Sequence, residues 1–236
     1  MERIIDFHSH ILPKMDDGSD SVETTRKLLE LLKSQGVDTV CATPHFYRRQ
    51  NNIEKFLARR DEAYKRLPEV DGIKVLVGAE VAYFSGICDC ENLDKLCLEG
   101  TRTLLLEMPF TAWTSTQMED VISLILDKNY RVVLAHPERF LFDSGNRRMI
   151  EKMCVTGVGL QVNAETLISW RYRKEGLSIL EATEHPYVGT DCHDLKKRAP
   201  RMNDARKTIE RKLGKDFLSR IDKCMNDAIG NANSEG

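Results

Sequence analysis

Histidine carries the clearest chemical pattern in this sequence. Five of the six histidines stand at or just after the ends of short apolar runs typical of buried β-strands, namely His8, His10, His45, His136 and His193. In His8-Ser9-His10 the spacing of two places both imidazoles on the same side of an extended chain, where they can bind one metal ion. An isolated pair of this kind also occurs as ordinary core or surface histidines, so the other strand ends decide the interpretation.

Carboxylates accompany the histidines at these strand ends. Asp16 and Asp17 follow the histidine pair directly, although an isolated Asp-Asp-Gly is usually a solvated turn. The later strand ends carry, in chain order, His45, Glu80, Glu107, His136, Asp191 and His193. Only the sixth of seven predicted strands ends without an imidazole or a carboxylate. So many donors exceed the needs of one ion and predict a cluster of two or three, which could be Mn²⁺, Fe²⁺, Zn²⁺ or Co²⁺.

Clustered metal ions can promote in-line displacement at phosphorus or hydrolysis at a carbonyl carbon. Two arginines favour phosphorus, since Arg139 lies three residues after His136 and Arg198 lies five residues after His193. A guanidinium group matches the charged oxygens of a phosphate ester in a bidentate manner. Ordinary helix-capping or surface arginines remain the alternative for both positions.

Cys192 and Arg198 have the C-x₅-R spacing of thiol-based tyrosine phosphatases. A phosphate cradle of that type needs small, Gly-rich residues that turn successive backbone N–H groups inward. The segment Leu195-Lys196-Lys197 is bulky and charged instead. We therefore reject Cys192 as a nucleophile and expect it on the opposite face of its strand end from the metal ligands.

Seven short apolar runs predict the strands that must position these side chains. They are Arg3 to Phe7, Thr39 to Thr43, Lys74 to Gly78, Thr103 to Glu107, Arg131 to Ala135, Gly159 to Asn163, and Tyr187 to Thr190. Stretches with helical spacing lie between most of them, such as Val22 to Ser34. This alternation predicts an α/β fold with a parallel sheet, and the absence of a long linker favours one barrel over an open doubly wound sheet. Barrels of this kind place their chemistry at the carboxyl ends of the strands.

Composition narrows the class of protein. The 236 residues are 41% hydrophobic and 31% charged, with a net charge of −2, which gives no general basic field for nucleic acid. We find no apolar signal region or 18-residue apolar run, so we expect a cytoplasmic protein without membrane insertion. The seven cysteines are expected to be reduced thiols. The pattern is helical from Ala199 to about Ile229, and we expect a disordered tail over 230–236.

Several strings of this sequence resemble one known group of proteins. They are DFHSHILPKMDDGS, ATPH at 42–45, GAE at 78–80, LLEMP at 105–109, AHPER at 135–139, QVNAETL at 161–167 and TDCHDLKKRAP at 190–200. Together they resemble the polymerase-and-histidinol-phosphatase (PHP) superfamily, and within it the bacterial manganese-dependent tyrosine phosphatases of capsule and exopolysaccharide clusters. The resemblance runs nearly end to end. It implies a single domain over residues 1–229 that folds as a distorted (β/α)₇ barrel with three metal ions.

The resemblance also implies a role for each residue of the site. One ion would take His8, His10, Glu107 and Asp191; a second would share Glu107 and take His136; a third would take Asp17, His45, Glu80 and His193. Asp16 would support or cap a ligand, and Arg139 and Arg198 would hold the phosphoryl group of the substrate. We leave His185, which lies outside every motif, as a structural residue.

The reaction expected on this basis is hydrolysis of phosphotyrosine by a metal-bridging hydroxide, without a phosphoenzyme. A phenolate leaving group needs little proton assistance, although His45 or a metal-bound water could supply it. The resemblance implies that the substrate is the phosphotyrosyl tail of a cognate bacterial tyrosine kinase. The alternatives are a small-molecule phosphatase of the histidinol-phosphate type, a metal-dependent C–N hydrolase, and a non-catalytic module that recruits the kinase. An oligomer is compatible with the sequence.

Overall fold

The computed structural model describes residues 3–230. That part of the chain contains nine strands: β1 Ile5–Ser9, β2 Thr39–Ala42, β3 His45–Phe46, β4 Lys74–Val77, β5 Glu80–Ala82, β6 Thr103–Glu107, β7 Arg131–Ala135, β8 Gly159–Asn163 and β9 Pro186–Gly189. It also contains eight α-helices: α1 Val22–Ser34, α2 Ile53–Tyr64, α3 Ser115–Leu126, α4 Ser144–Cys154, α5 Ala164–Ile168, α6 Arg173–Ala182, α7 Met202–Leu213 and α8 Lys215–Ala228.

The nine strands occupy seven positions, because two of the predicted strands resume after a short break. Only Thr43 and Pro44 separate β2 from β3, and only Gly78 and Ala79 separate β4 from β5. Pro44 has no N–H group to continue a ladder, which explains the first break. β2 pairs with β4, and β3 pairs with β5, so each half keeps the same neighbour beyond the break.

All strand pairs are parallel, in sheets of order β1-β2-β4 and β3-β5-β6-β7-β8-β9. The ring closes between the first and last strands through a parallel bridge from Ser9 to Cys192. There the N–H of Asp191 donates to the carbonyl of His8 at 2.7 Å, and the N–H of His10 donates to the carbonyl of Cys192 at 3.0 Å. The predicted seven-position α/β barrel is thus confirmed.

Gly189 permits the close approach of β9 to β1. A Cβ atom at this position would lie 2.5 Å from the Cβ of His8 and 2.8 Å from its backbone nitrogen. Any larger residue would push the two strands apart at the point where both deliver site residues. The glycine is therefore part of the architecture of the site.

The helices cover the outside of the barrel with apolar stripes. In α1 the buried residues include Leu28, Leu29 and Leu32, at the spacing of one helix face. The helix begins after Ser21, whose side chain accepts a hydrogen bond from the N–H of Thr24, as expected for an N-cap. The strands bury both faces, and all five residues of β1, β6 and β8 are buried. The core therefore surrounds the strands and fixes their carboxyl ends.

The carboxyl-terminal region forms two helices where the sequence pattern suggested continuous helical spacing. Gly214, with φ of 92° and ψ of 165°, separates α7 from α8 and lets them pack on one another. Of the tail predicted to be disordered, only Gly230 lies within the described residues, and the single domain over 1–229 stays a prediction. No helix among residues 3–230 is long and apolar enough to cross a membrane.

Candidate metal centre

The structure brings all nine predicted metal ligands together at the carboxyl ends of the strands. Four overlapping groups have donor atoms within 4.8 Å of one another: His10, Asp17, His45 and His193; His8, His10 and Asp191; His8, Glu80 and His136; and His45, Glu80 and Glu107. Seven of the nine residues are buried, and only His45 and Asp17 are more accessible. Six strand positions contribute to the cluster, as the sequence indicated.

Glu80 lies at the centre of the cluster. Its Oε1 is 2.7 Å from Nε2 of His136, and its Oε2 is 2.8 Å from Nδ1 of His45. Nε2 of His10 and of His8 lie 3.3 and 3.4 Å from Oε2. Burial disfavours the ionised form, but the surrounding imidazoles outweigh burial and hold the pKa of Glu80 well below its usual value. The carboxylate is therefore ionised and available as a ligand.

Glu107 and His193 show what burial does to the other members of the cluster. Burial, and then the negative charge of Glu80, raise the pKa of Glu107 to about 7. Burial, and then the neighbouring His10, lower the pKa of His193 to about 4. A neutral imidazole has a lone pair free for a metal ion, and a bound cation stabilises the ionised form of a buried carboxyl group. Both groups are therefore suited to binding metal ions.

Asp191 joins the cluster to the two arginines. Its Oδ1 lies 3.4 Å from Nε2 of His10. Its Oδ2 accepts a hydrogen bond from Nη2 of Arg139 at 2.6 Å and forms an ion pair with Nη2 of Arg198 at 2.7 Å. The side chains of Arg139 and Arg198 are 37% and 31% exposed. Both guanidinium groups therefore lie between the buried donors and solvent, where an incoming anion would first meet them.

Local backbone structure explains how the arginines reach this place. His136 adopts φ of 33° at the end of β7 and leads into a 3₁₀ turn, Pro137–Phe140, that contains Arg139. After β9, the side chain of Asp194 accepts hydrogen bonds from the N–H groups of Lys196 and Lys197 at 2.6 and 2.7 Å. The resulting turn brings the chain back, and the carbonyl of Arg198 accepts the N–H of His193 at 3.0 Å.

Two ligands also occupy unfavourable backbone conformations. His136 has φ of 33° and Asp191 has φ of 52°, and both values lie in the left-handed region that residues other than Gly rarely adopt. Such strain persists only where the surrounding structure enforces it, and it is concentrated at functional sites. The strain aims both side chains into the cluster.

Asp16 forms hydrogen bonds to two of the predicted histidine ligands, His10 and His45. Its Oδ2 lies 2.7 Å from Nδ1 of His10 and accepts the backbone N–H of His45 at 3.0 Å. Its Oδ1 accepts the N–H of Gly18 at 3.0 Å. These hydrogen bonds, together with the positive charge of His10, overcome burial and lower the pKa of Asp16. A carboxylate behind a ligating imidazole fixes the ring orientation and raises its basicity.

The sixth strand position, β8, contributes through two amides that sequence reasoning missed. Oε1 of Gln161 lies 2.8 Å from Nδ1 of His8 and accepts the N–H of His136 at 3.3 Å. Nε2 of Gln161 donates to Oδ1 of Asn163, whose Nδ2 donates to Oδ2 of Asp191, both at 2.9 Å. The available signal was the Gln-x-Asn spacing in β8, which puts both side chains on one face, as in His8-Ser9-His10.

The unpaired polar atoms of the cluster fit bound cations. Four of its buried atoms make no hydrogen bond within the described structure. They are Nδ1 of His136, Nε2 of His193, and the pair Nδ1 of His45 and Oε2 of Glu80, which lie 2.8 Å apart without hydrogen-bond geometry. Buried polar atoms without partners are costly, so a concentration of them in one place needs an explanation. Imidazole and carboxylate donors in this number suit several divalent ions. The residues present therefore fit a multinuclear metal site.

The donor distances group the ligands differently from the sets that the resemblance implied. Glu107 lies with His45 and Glu80, and Glu80 also lies with His8 and His136. His10 is shared between two groups. Glu80, rather than Glu107, occupies the most central place among the protein donors. The assignment of each ligand to an individual ion stays a prediction.

Cys192 belongs to none of these donor groups. The residue is fully buried in the core, and burial raises the pKa of its thiol. A neutral, enclosed thiol is a poor nucleophile. The structure thus supports the sequence-based rejection of the C-x₅-R interpretation.

Comparisons with known proteins agree with this site. The family described as capsular polysaccharide synthesis, CpsB/CapC, matches residues 4–228. The chain belongs to the CpsB/CapC family. The tyrosine-protein phosphatase YwqE of Bacillus subtilis is 29% identical over 225 residues, covering 91% of this chain and 87% of that protein. The tyrosine-protein phosphatase CpsB of Streptococcus pneumoniae is 28% identical over 226 residues, covering 89% of this chain and 91% of that protein.

A solved structure extends the similarity to the fold. It comes from work on YwqE of Bacillus subtilis and CpsB of Streptococcus pneumoniae, described as unique metal-dependent tyrosine phosphatases. It superposes on this CpsB/CapC chain with a TM-score of 0.84 at 25% identity, covering 96% of this chain and 94% of the other. The resemblance drawn from the sequence strings is confirmed.

Proposed function

We propose that this chain is a metal-dependent protein tyrosine phosphatase that acts in capsular polysaccharide synthesis. The observation that carries the proposal is one cluster of nine imidazole and carboxylate donors, seven of them buried, with two arginines at its mouth. The family and its named phosphatases support the same activity.

The ligands would hold three divalent ions, with Mn²⁺ the expected metal: His8, His10, Asp17, His45, Glu80, Glu107, His136, Asp191 and His193. Bound ions of this kind stabilise negative charge on phosphoryl oxygens and supply hydroxide at neutral pH by lowering the pKa of water. The chain's contribution is to fix the donors before substrate arrives. Gln161, Asn163 and Asp16 do this through hydrogen bonds to the ligands.

Arg139 and Arg198 bind the phosphoryl group. In the structure both guanidinium groups share one oxygen of Asp191, and each keeps further N–H donors for a second partner. A phosphate ester offers several charged oxygens to the same pair. The arginines therefore position the substrate and neutralise charge as the bond to the leaving group breaks.

His45 was expected to act as a ligand and possible proton donor. Its Nδ1 lies 2.8 Å from Oε2 of Glu80, and its Nε2 lies 3.5 Å from Oδ1 of Asp17. Both ring nitrogens face other predicted ligands, which supports the ligand role. A phenolate, with a pKa of about 10, can leave with little proton assistance.

The substrate we propose is the phosphotyrosyl tail of a cognate bacterial tyrosine kinase. We place the reaction in the cytoplasm, since all seven cysteines are free and such thiols persist in a reducing compartment. The residues of the site give no reason to expect nucleic acid as a partner.

The test is hydrolysis of a phosphotyrosyl peptide by protein stripped with a chelator, before and after Mn²⁺ is restored. We expect no turnover without metal and recovery with it. Histidinol phosphate is measured in parallel, because a higher kcat/KM for that substrate would establish the small-molecule alternative instead. Binding of the peptide without turnover at saturating Mn²⁺ would establish a recruiting module.

A further inference from the structure

Two aromatic rings pack directly against predicted metal ligands without being ligands themselves. Phe110 lies in the segment after β6 and stacks on His136, with ring centroids 6.4 Å apart and an interplanar angle of 25°. Tyr47 follows β3 and stacks on His45, with centroids 5.3 Å apart and an angle of 28°. Each ring therefore covers one imidazole at the rim of the cluster.

The two stacked imidazoles share one carboxylate. His136 and His45 lie at opposite oxygens of Glu80, at 2.7 and 2.8 Å. Phe110 and Tyr47 therefore each cover an imidazole that neighbours the central carboxylate of the site.

Phe110 is also tied to the segment that carries Arg139. Its ring lies 4.9 Å from the ring of Phe140, the last residue of the 3₁₀ turn Pro137–Phe140. Phe110 therefore packs against the same short turn that carries the phosphoryl-binding Arg139.

Exposure separates Phe110 from an ordinary core aromatic. One side of the ring covers His136 and Phe140, yet 56% of the residue remains accessible. The exposed part of the ring can therefore contact a ligand bound at the site. Tyr47 is half-buried and also retains an accessible part.

We propose that Phe110 and Tyr47 are the aryl-binding residues of the site and contact the phenyl ring of phosphotyrosine while Arg139 and Arg198 hold its phosphoryl group. This inference rests on the proposed function and names the residues that select its substrate class. Aromatic rings favour offset-stacked or edge-to-face contacts with one another. Phosphoserine and phosphothreonine have no ring to make these contacts, so the contacts favour phosphotyrosine.

The test measures binding without turnover. Calorimetry gives the affinities of the Mn²⁺-loaded protein for phenylphosphonate and methylphosphonate, which share the phosphonate group and differ in the ring. We expect the wild type to prefer phenylphosphonate. Phe110→Leu and Tyr47→Leu should each weaken phenylphosphonate binding by about threefold to tenfold, the range for one aromatic contact. Methylphosphonate affinity should change by less than about twofold.

The control variants separate the ring from its setting. Phe110→Tyr and Tyr47→Phe keep a ring and should keep the phenyl preference. Tyr64 is also exposed, at 41%, but it ends α2 just before β4 begins, at the amino ends of the strands. Tyr64→Leu should therefore leave both affinities at the wild-type values.

The inference is overturned if the wild type shows no phenyl preference, or if both leucine variants change the two affinities equally or not at all. Failure of the proposed function is a separate result. It would appear as no hydrolysis of a phosphotyrosyl peptide by the same Mn²⁺-loaded wild type, whatever the phosphonate affinities are.

Discussion

Gln161 is the residue through which the account of the metal centre can be tested without touching a ligand. Its Oε1 lies 2.8 Å from Nδ1 of His8 and accepts the N–H of His136 at 3.3 Å. Gln161→Leu removes this acceptor and leaves a buried imidazole nitrogen unpaired. Loss of a group that orients a metal ligand costs about 10- to 100-fold in metal affinity, or about 1.4–2.7 kcal/mol.

The assay titrates Mn²⁺ into chelator-stripped protein and measures binding by calorimetry. Urea unfolding of the metal-free protein is measured in parallel. Gln161→Glu keeps an acceptor opposite His8 and should recover most of the affinity lost in Gln161→Leu. Thr183→Val serves as the matched control. Thr183 is buried just before β9, where its hydroxyl donates to the carbonyl of Val158 at 3.0 Å, and so lies at the end of the strand opposite to the donors.

The two variants should separate stability from metal binding. Thr183→Val removes two hydrogen bonds of the hydroxyl, to the carbonyl of Val158 and from the N–H of His185, and should cost about 1–3 kcal/mol of stability while leaving Mn²⁺ affinity unchanged. Gln161→Leu should lower both. If Gln161→Leu binds Mn²⁺ as tightly as the wild type, the amides of β8 do not orient His8 and this reasoning is refuted.

Three further perturbations address the arginines, a buried carboxyl group and the barrel seam. Arg139→Lys and Arg198→Lys should each lower kcat/KM roughly 100-fold without changing the bound metal, because lysine keeps the positive charge but cannot bind two phosphoryl oxygens at once. The surface variant Arg147→Lys is the control and should retain full activity. Equal kcat/KM values in all three variants would contradict the role assigned to Arg139 and Arg198. Burial raises the pKa of Glu138 to about 7 from 4.5, so its contribution to stability is complete below about pH 4.5 and is lost as the pH rises through 7. Between pH 4.5 and 7.5, the free energy of urea unfolding of the metal-free protein should therefore fall by about 3 kcal/mol less for Glu138→Gln than for the wild type. If the two free energies fall equally with pH, the effect is excluded. Gly189→Ala should cost about 3 kcal/mol and lower the bound metal, whereas Gly100→Ala, where no atom lies within 4 Å, should cost about 1 kcal/mol and keep the metal; thermal unfolding and metal analysis decide between these outcomes.

Much of the fold could be predicted because the strands are buried on both faces. Runs such as Leu104, Leu105 and Leu106 in β6 are apolar without interruption, and burial of the whole strand explains why. The interruptions were harder to see. Thr43-Pro44 and Gly78-Ala79 were interpreted as strand ends, whereas β3 and β5 resume the same strands for a few residues.

The ligands could be predicted because barrel topology brings strand ends together whatever their separation in sequence. What the sequence could not supply were the contacts between those ends. The sixth strand seemed to contribute nothing, since Gln161 and Asn163 are amides and amides alone indicate no metal site. Their role depends on the positions of His8 and Asp191 across the barrel, which only the folded structure fixes.

The grouping of the ligands was beyond sequence reasoning for the same reason. Residues from neighbouring strand positions can share a carboxylate in several ways, and the choice depends on distances below 4 Å. In the structure these distances make Glu80 the central carboxylate.

The central claim is that hydrolysis depends on the metal cluster and not on a cysteine. The most direct measurement is phosphotyrosyl-peptide turnover by wild type, His136→Ala and Cys192→Ser, each stripped of metal and then supplied with Mn²⁺. Turnover that requires Mn²⁺, is lost in His136→Ala and persists in Cys192→Ser is the predicted result. Turnover that survives chelation and disappears in Cys192→Ser would contradict the account.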